Sequence, residues 1–214
     1  MTSLLLEKCE SLTAIEIDKD LIRFLKKAYG DRKNFNLIEK DILLYDPKEL
    51  VRVNKLIGNI PYNISTPIIE WIIDNKSSFD EIFLMLQKEF GERCVAQPNT
   101  KSYGRLSIFV QCFFDVTVIR EVDKSSFDPS PKVQSIFLKL IPKVSDVTPN
   151  SILMKNLSTL TREAFSKRRK LITNSLKSFF TEEDLVNLGV ERKSRPENLS
   201  VETYIKLAKS IQSG

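Results

Sequence analysis

From Leu12 to Leu140, short apolar runs alternate with amphipathic stretches, and this alternation is what most narrows the folds open to the chain. Leu12–Ile17 (LTAIEI) predicts a buried strand, and Lys19–Ala28 a helix with Leu21, Phe24 and Leu25 on one face. Phe35–Glu39 is strand-like again, and Lys55–Gly58 closes a third strand. Ser65–Asn75 predicts a helix, with Ser65 or Thr66 as N-cap and Pro67 acceptable in the first turn. Glu81–Leu86 is a short apolar strand, and Lys88–Ala96 and Gly104–Phe113 read as helices. Val116–Val122 and Val133–Leu140 are β-branched runs suited to a hairpin-like pair at one sheet edge. A βαβα order needs crossover helices, so the expected fold is α/β, with a mostly parallel sheet covered on both faces.

The pattern then changes. Ile141–Asn150 (IPKVSDVTPN) holds two prolines among polar residues and reads as a linker. Beyond it every segment is helical in period: Ser151–Phe165, Arg168–Phe180, Glu182–Leu188 and Val201–Ile211. The chain is therefore expected to divide into an α/β domain over residues 1–144 and a small all-α domain over residues 145–214. It contains no internal repeat and no low-complexity tract.

Charge follows the same division. The formal net charge is +5, from 33 basic and 28 acidic side chains among 214 residues. Residues 1–144 hold 21 basic and 20 acidic groups, whereas residues 145–214 hold 12 and 8. The densest stretch, Arg162 to Lys177, carries six basic residues against one Glu. Such a patch fits a polyanion partner, because Lys and Arg neutralise phosphates and release counterions. A solvated helix face is the alternative.

Composition also excludes chemistry. With no histidine, the chain cannot build a Ser-His-Asp or Cys-His dyad or a His-containing zinc site. Cys9, Cys94 and Cys112 are odd in number and widely spaced, which fits a reducing compartment and argues against a disulfide framework. Met1–Glu10 lacks the charge pattern of a signal peptide, and the apolar runs are too short to span a bilayer. A soluble intracellular protein is expected.

Three places could carry chemistry. Glu16 ends the first strand and Asp41 follows the second, and in open α/β sheets ligands bind beyond the carboxyl ends of strands. One carboxylate there can accept from both hydroxyls of a ribose, and the next from an adenine amine, which suggests an adenosine-containing cofactor; ordinary surface acids are the alternative. Gly58-Asn59-Ile60-Pro61-Tyr62-Asn63 stands between a strand and a helix. The Asn59 amide oxygen and the Ile60 carbonyl, its direction restricted by Pro61, can converge on the two hydrogens of an aromatic amine. Tyr62 offers a face for stacking the base. Such a site works by orientation and electrostatics and needs no histidine. A plain Asn-Pro turn before a helix is the bland alternative. Finally, Phe127 sits on the proline-stiffened Ser126–Val133 loop, placed either to stack on a base or to pack in the core.

These motifs, together with Ile15–Asp18 (IEID), Glu39–Ile42 (EKDI), Gly58–Pro67 (GNIPYNISTP), Met85–Glu89 (MLQKE), Tyr103–Ser107 (YGRLS), Phe127–Val133 (FDPSPKV), Glu163–Lys170 (EAFSKRRK) and Arg195–Tyr204 (RPENLSVETY), run in collinear order along nearly the whole chain. The sequence thereby resembles the small-subunit ribosomal RNA adenine N6,N6-dimethyltransferases. The resemblance implies a class I, Rossmann-like methyltransferase sheet plus a small helical domain. It implies S-adenosylmethionine as methyl donor to two adjacent adenosines near the 3′ end of small-subunit rRNA, with a role in small-subunit biogenesis. Glu16 would bind the cofactor's ribose and Asp41 its adenine amine, with Ile42 adding backbone contact. Asn59 and the Ile60 carbonyl, beside Pro61, would hold the target amine, with Asn59 also near the cofactor. Tyr62 and Phe127 would stack the target base. Arg162, Lys167, Arg168, Arg169, Lys170 and Lys177 would meet rRNA phosphates. The implied partners are small-subunit rRNA and the immature small subunit, in the cytoplasm, for a monomer that uses neither metal nor membrane.

One departure is expected to matter. The glycine-rich loop that approaches the cofactor's methionine moiety in that family has no counterpart, since the first glycine is Gly30. In the family, that loop and its strand precede a helix matching Thr2–Glu10. The sheet is therefore expected to be incomplete at its N-terminus, lacking a central strand and half of the cofactor site, with weak or no activity expected in this form. Three other readings stand beside this one. They are a non-catalytic RNA-binding assembly factor, a large-subunit rRNA adenine methylase of the antibiotic-resistance type, and a mitochondrial transcription-factor relative.

Overall fold

A computed structural model describes residues 1–50, 54–127, 133–144, 147–149 and 151–211. They form two compact units, Met1–Glu49 and Leu50–Gly214. The expected division at residue 144 falls inside the second unit and remains a proposal about the helical segment.

The first unit opens with α1 (Thr2–Leu6), followed by β1 (Leu12–Glu16), α2 (Lys19–Tyr29) and β2 (Phe35–Glu39). β1 and β2 pair in parallel, from Leu12 opposite Phe35 to Glu16 opposite Glu39. The Asp18 carboxylate accepts from the Asp20 and Leu21 amides at 2.8 and 3.0 Å, which stops the strand and starts the helix. These backbone donors hold the Asp18 carboxyl below its usual range. The expected helix face departs from the structure: Ile22 is the buried side chain of α2, while Leu21 and Phe24 are 51% and 60% exposed. The 3.6-residue period locates a stripe but does not say which side of it has a partner.

The second unit contains β3 (Lys55–Asn59), α3 (Ser65–Asp74), β4 (Glu81–Gln87), α4 (Lys88–Val95), α5 (Arg105–Phe113), β5 (Phe114–Val122) and β6 (Ser135–Pro142). Its four-stranded sheet has the order β3-β4-β6-β5. β3 and β4 are parallel, whereas β6 runs antiparallel to β4 and to β5. The hairpin-like pair thus exists, with β5 at the edge and a bulge between Val118 and Arg120. Alternate residues of β4, namely Ile82, Leu84 and Leu86, are fully buried, as the two-residue strand period requires. A Cβ built on Gly91 of α4 would lie 2.1 Å from Ile136 Cγ2, so glycine lets this helix sit directly on the sheet.

Within the same unit follow α6 (Ile152–Ser166), α7 (Ile172–Ser175), α8 (Glu182–Asn187) and α9 (Val201–Ser210). α6 and α9 pack on each other and on α5 through Leu157, Leu160, Tyr204 and Leu207. The Tyr103 and Tyr204 hydroxyls, both buried, donate to the carbonyls of Leu199 and Pro196 at 2.9 Å. The helix expected over Arg168–Phe180 is reduced to α7. The chain is extended at Leu171 (ψ 148°), and the Ile172 N–H donates to the Ser194 carbonyl at 2.8 Å. A long-range tie therefore interrupts what local propensity favours. No helix among the described residues is long and apolar enough to cross a membrane.

Candidate functional site

In the first unit, the strand-end carboxylates lie as the strand argument requires. The Lys40 N–H continues the parallel ladder to the Glu16 carbonyl at 3.0 Å, which sets Asp41 just past the end of β2. Glu16 Oε1 accepts from the Ile17 and Asp18 amides at 2.8 and 2.9 Å, and Asp41 Oδ1 from the Leu43 amide at 2.9 Å. Each carboxylate is thus oriented by backbone donors through one oxygen. The other, Oε2 or Oδ2, has no hydrogen-bond partner among the described residues. The Ile42 N–H opens a short 3-10 turn and is likewise without a partner there. Two acceptors and one donor at the ends of adjacent strands suit a nucleoside with a diol and an exocyclic amine. The residues present fit the adenosine part of such a cofactor.

In the second unit, the loop after β3 is fixed at several points. The Ile60 N–H donates to the Met85 carbonyl at 3.1 Å, extending the β3–β4 ladder by one residue. A Cβ at Gly58 would fall 2.6 Å from Ile60 Cδ1, so glycine leaves room for the Ile60 side chain to fold back over the strand. Pro61 is extended (φ −55°, ψ 132°) and Tyr62–Ile64 form a 3-10 turn leading into α3. The helix cap differs from expectation: Ile64 is at the N-cap, and Ser65 instead donates its hydroxyl to the Tyr62 carbonyl at 3.0 Å. Against this rigid background the Asn59 side chain is exposed. Neither its amide nor the Ile60 carbonyl has a hydrogen-bond partner among the described residues. Two adjacent acceptors on a fixed loop can take the two hydrogens of one amine.

Tyr62 is half-buried, and its hydroxyl lies 2.9 Å from the Ser135 hydroxyl at the head of β6. Nothing local in the sequence marks Ser135, which lies 73 residues away from Tyr62. Phe127 is half-exposed after a 3-10 turn at Lys124–Ser126 that Asp123 caps through the Ser125 amide at 2.9 Å. That donor is the main reason the Asp123 carboxyl is held below its usual range, and a side-chain bond to Gln134 adds to it. Residues 128–132 of the expected FDPSPKV motif lie outside the described residues.

The basic segment is also resolved into roles. Arg162, on α6, and Lys167, Arg169, Lys170 and Lys177, beyond it, are all exposed. Arg168 differs from them. Its Nε donates to Glu197 Oε2 at 2.9 Å and its Nη2 to the Thr100 carbonyl at 3.2 Å, which joins the basic turn to two distant segments. A guanidinium engaged on two sides is a brace first, and Glu197 is the second residue that sequence reasoning missed.

Comparison with known proteins adds the following. The model of the ribosomal RNA adenine dimethylase family matches residues 1–213. Ribosomal RNA small subunit methyltransferase A of Legionella pneumophila is 38% identical over 214 residues, spanning 100% of this chain and 83% of its own length. Its counterpart in Coxiella burnetii is 36% identical over 211 residues, or 97% of this chain and 81% of that protein. The crystal structure of a dimethyladenosine transferase from Plasmodium falciparum superposes with a TM-score of 0.80 at 31% identity, covering 96% of this chain and 83% of the other. The 23S rRNA methyltransferase ErmE superposes with a TM-score of 0.73 at 22% identity, covering 98% and 85%, a likeness of fold alone.

Proposed function

Since the chain belongs to the ribosomal RNA adenine dimethylase family, and is thus an rRNA adenine dimethyltransferase, we propose that it uses S-adenosylmethionine to dimethylate N6 of two adjacent adenosines near the 3′ end of small-subunit rRNA. The observation that carries this reading is a pair of acceptors, Asn59 Oδ1 and the Ile60 carbonyl, without hydrogen-bond partners among the described residues and on a loop fixed from both sides. S-adenosylmethionine, when bound, supplies an electrophilic methyl group on a sulfonium. The ribose hydroxyls would meet Glu16, and the cofactor's adenine amine would meet Asp41 with the Ile42 N–H beside it.

The target amine is a weak nucleophile, because its lone pair is delocalised into the purine ring. Donating both hydrogens to Asn59 and the Ile60 carbonyl draws the nitrogen toward a pyramidal shape and aims the lone pair at the methyl. Pro61 keeps the Ile60 carbonyl from turning away. Tyr62 stacks against the base on one side, and Phe127 supplies the second aromatic face. No general base of raised pKa is needed, and rate comes from orientation and electrostatics. The exposed Arg162, Lys167, Arg169, Lys170 and Lys177 would neutralise rRNA phosphates, with Arg168 setting the turn that presents them. Under this reading the partner is rRNA within the immature small subunit, met by a monomer in the cytoplasm, with no metal required.

Primer extension across the two adenosines tests it, in cells lacking their own dimethyltransferase and supplied with this chain. The wild type should restore the modification stop, more weakly than a relative that carries the glycine-rich loop. Asn59→Ala should lower methyl transfer by about a hundredfold or more, the scale for losing one preorganised polar contact in a transition state, with RNA affinity unchanged. A stop that survives Asn59→Ala overturns the assignment.

A further inference from the structure

The hydrogen bond between Tyr62 and Ser135 joins the loop that holds the target amine to the interior of the sheet. Ser135 is fully buried and sits at the head of β6. It is paired on one side with Gln87 of β4 and on the other with Val122 of β5. A buried hydroxyl without a partner costs free energy, and Tyr62 is the partner that Ser135 has. Tyr62 is held at its other end too, because its carbonyl accepts from the Ser65 hydroxyl at 3.0 Å. A ring pinned at backbone and at hydroxyl cannot swing about its side-chain torsions, while its faces stay half-exposed. The neighbouring residue, Gln134, is fixed as well, since its carbonyl accepts from the Lys88 N–H at 2.9 Å. The strand head that holds Tyr62 is therefore also where the loop carrying Phe127 returns to the sheet.

We propose that Ser135 is a positioning residue for methyl transfer, fixing the plane of the Tyr62 ring so that a stacked adenine arrives with its amine at Asn59 and the Ile60 carbonyl. The inference rests on the stacking role given to Tyr62 above. It attributes to the bond a benefit realised during reaction. A ring already held in place has less freedom to lose when the base stacks, and small errors in base orientation are costly at the reacting nitrogen. Affinity for RNA, set mainly by phosphate contacts elsewhere, should not depend on it.

The test compares Ser135→Ala, Tyr62→Phe and the double variant, using the whole chain and unmethylated small subunits. At saturating RNA, each single change should slow turnover about three- to tenfold, the worth of one neutral hydrogen bond. The double variant should be no slower than the slower single variant, because one bond can be lost only once. RNA dissociation constants should stay within about twofold of wild type, because phosphate contacts elsewhere set the affinity. Tyr62→Phe leaves a buried hydroxyl alone and is expected to melt lower. The double variant removes that group, so its turnover reads the positioning effect free of the stability loss. Fluorescence of 2-aminopurine at the target position adds a readout that fold stability does not move, with weaker quenching expected in all three variants. Multiplicative losses in the double variant, or a loss confined to melting temperature, would overturn the proposal. Asn59→Ala run alongside separates the two readings. If Asn59→Ala is inactive while the Ser135 and Tyr62 variants turn over normally, Ser135 has no positioning role. If Asn59→Ala remains active, the catalytic reading of the loop itself fails.

Discussion

In the second unit β4 buries every other residue to zero exposure, whereas in the first unit neither β1 nor β2 has a buried residue at all. The first unit relies on a few anchors, Leu6, Ile22, Tyr45 and Pro47, and on polar ties such as Asn34 Nδ2 to the Leu6 carbonyl at 3.1 Å. Its apolar side chains Leu4, Ile17, Leu21 and Phe24 face outward. The two halves of the chemistry are thus mounted differently. Glu16 and Asp41, the carboxylates proposed to meet the cofactor, are oriented by amides of their own turns. The loop proposed to hold the amine is fastened to a packed sheet by Met85 and Ser135, with Ser65 of α3 holding the Tyr62 carbonyl. Under the proposed function, local hydrogen bonds aim a carboxylate at a ribose, whereas placing a base for transfer draws on support from a core.

The largest expected effect tests this contrast in packing. Leu138→Ala, in the middle of β6 and fully buried, should cost about 2–5 kcal/mol of unfolding free energy, the range for a large-to-small core change. Phe24→Ser, on the exposed side of α2, should change it by no more than about 0.5 kcal/mol. Urea unfolding followed by fluorescence reads both. A Phe24→Ser cost approaching that of Leu138→Ala would break the comparison, because it would mean that the α2 face is covered.

A second contrast lies within the basic segment. Arg168→Ala removes the brace to Glu197 and Thr100 and should lower stability by about 1–3 kcal/mol, the scale of hydrogen bonds to a charged group. Arg169→Ala should leave melting unchanged. It should instead reduce the slope of log affinity for rRNA against log salt by about 0.7–0.9, one phosphate contact. Thermal melts and filter binding at several salt concentrations distinguish them. If Arg168→Ala lowers the slope as Arg169→Ala does, with no loss of melting temperature, Arg168 is a phosphate ligand and not a brace.

How far these roles were legible depends on sequence separation. Strand-ending Glu16 and Asp41 and the strand-loop-helix setting of Asn59 are local patterns, and the structure places them accordingly. Ser135 and Glu197 were invisible because they act on residues 73 and 29 positions away, and a serine in an apolar strand or a glutamate in a polar loop has no local signature. The shortened α7 failed for the same reason, since the Ile172–Ser194 tie competes with a helix that local propensity favours. The outward face of α2 failed differently. Its period is amphipathic, but periodicity carries no information about what stands opposite.

The smallest effect sharpens the comparison through pH. Glu81, at the start of β4, pairs with Lys139 and, at 2.7 Å, with Lys55, two lysines on the strands flanking it. These hydrogen bonds, Lys139 first, pull its carboxyl from 4.5 down to about 2. A pKa lower in the folded state than in the unfolded chain contributes stability that is fully present above about 4.5 and lost as pH falls toward about 2. The urea midpoint of the wild type should therefore fall between pH 5 and pH 3 by more than that of Glu81→Gln, and the two curves should converge at the acid end. In the first unit, Glu39 pairs with Lys26 at 2.5 Å, with both side chains about half exposed, and solvent screens such a pair. Glu39→Gln should accordingly lower the urea midpoint at pH 7 by less than Glu81→Gln does. Equal losses of midpoint at pH 7 in the two variants would place the two ion pairs on the same footing and remove the electrostatic side of the contrast between the units.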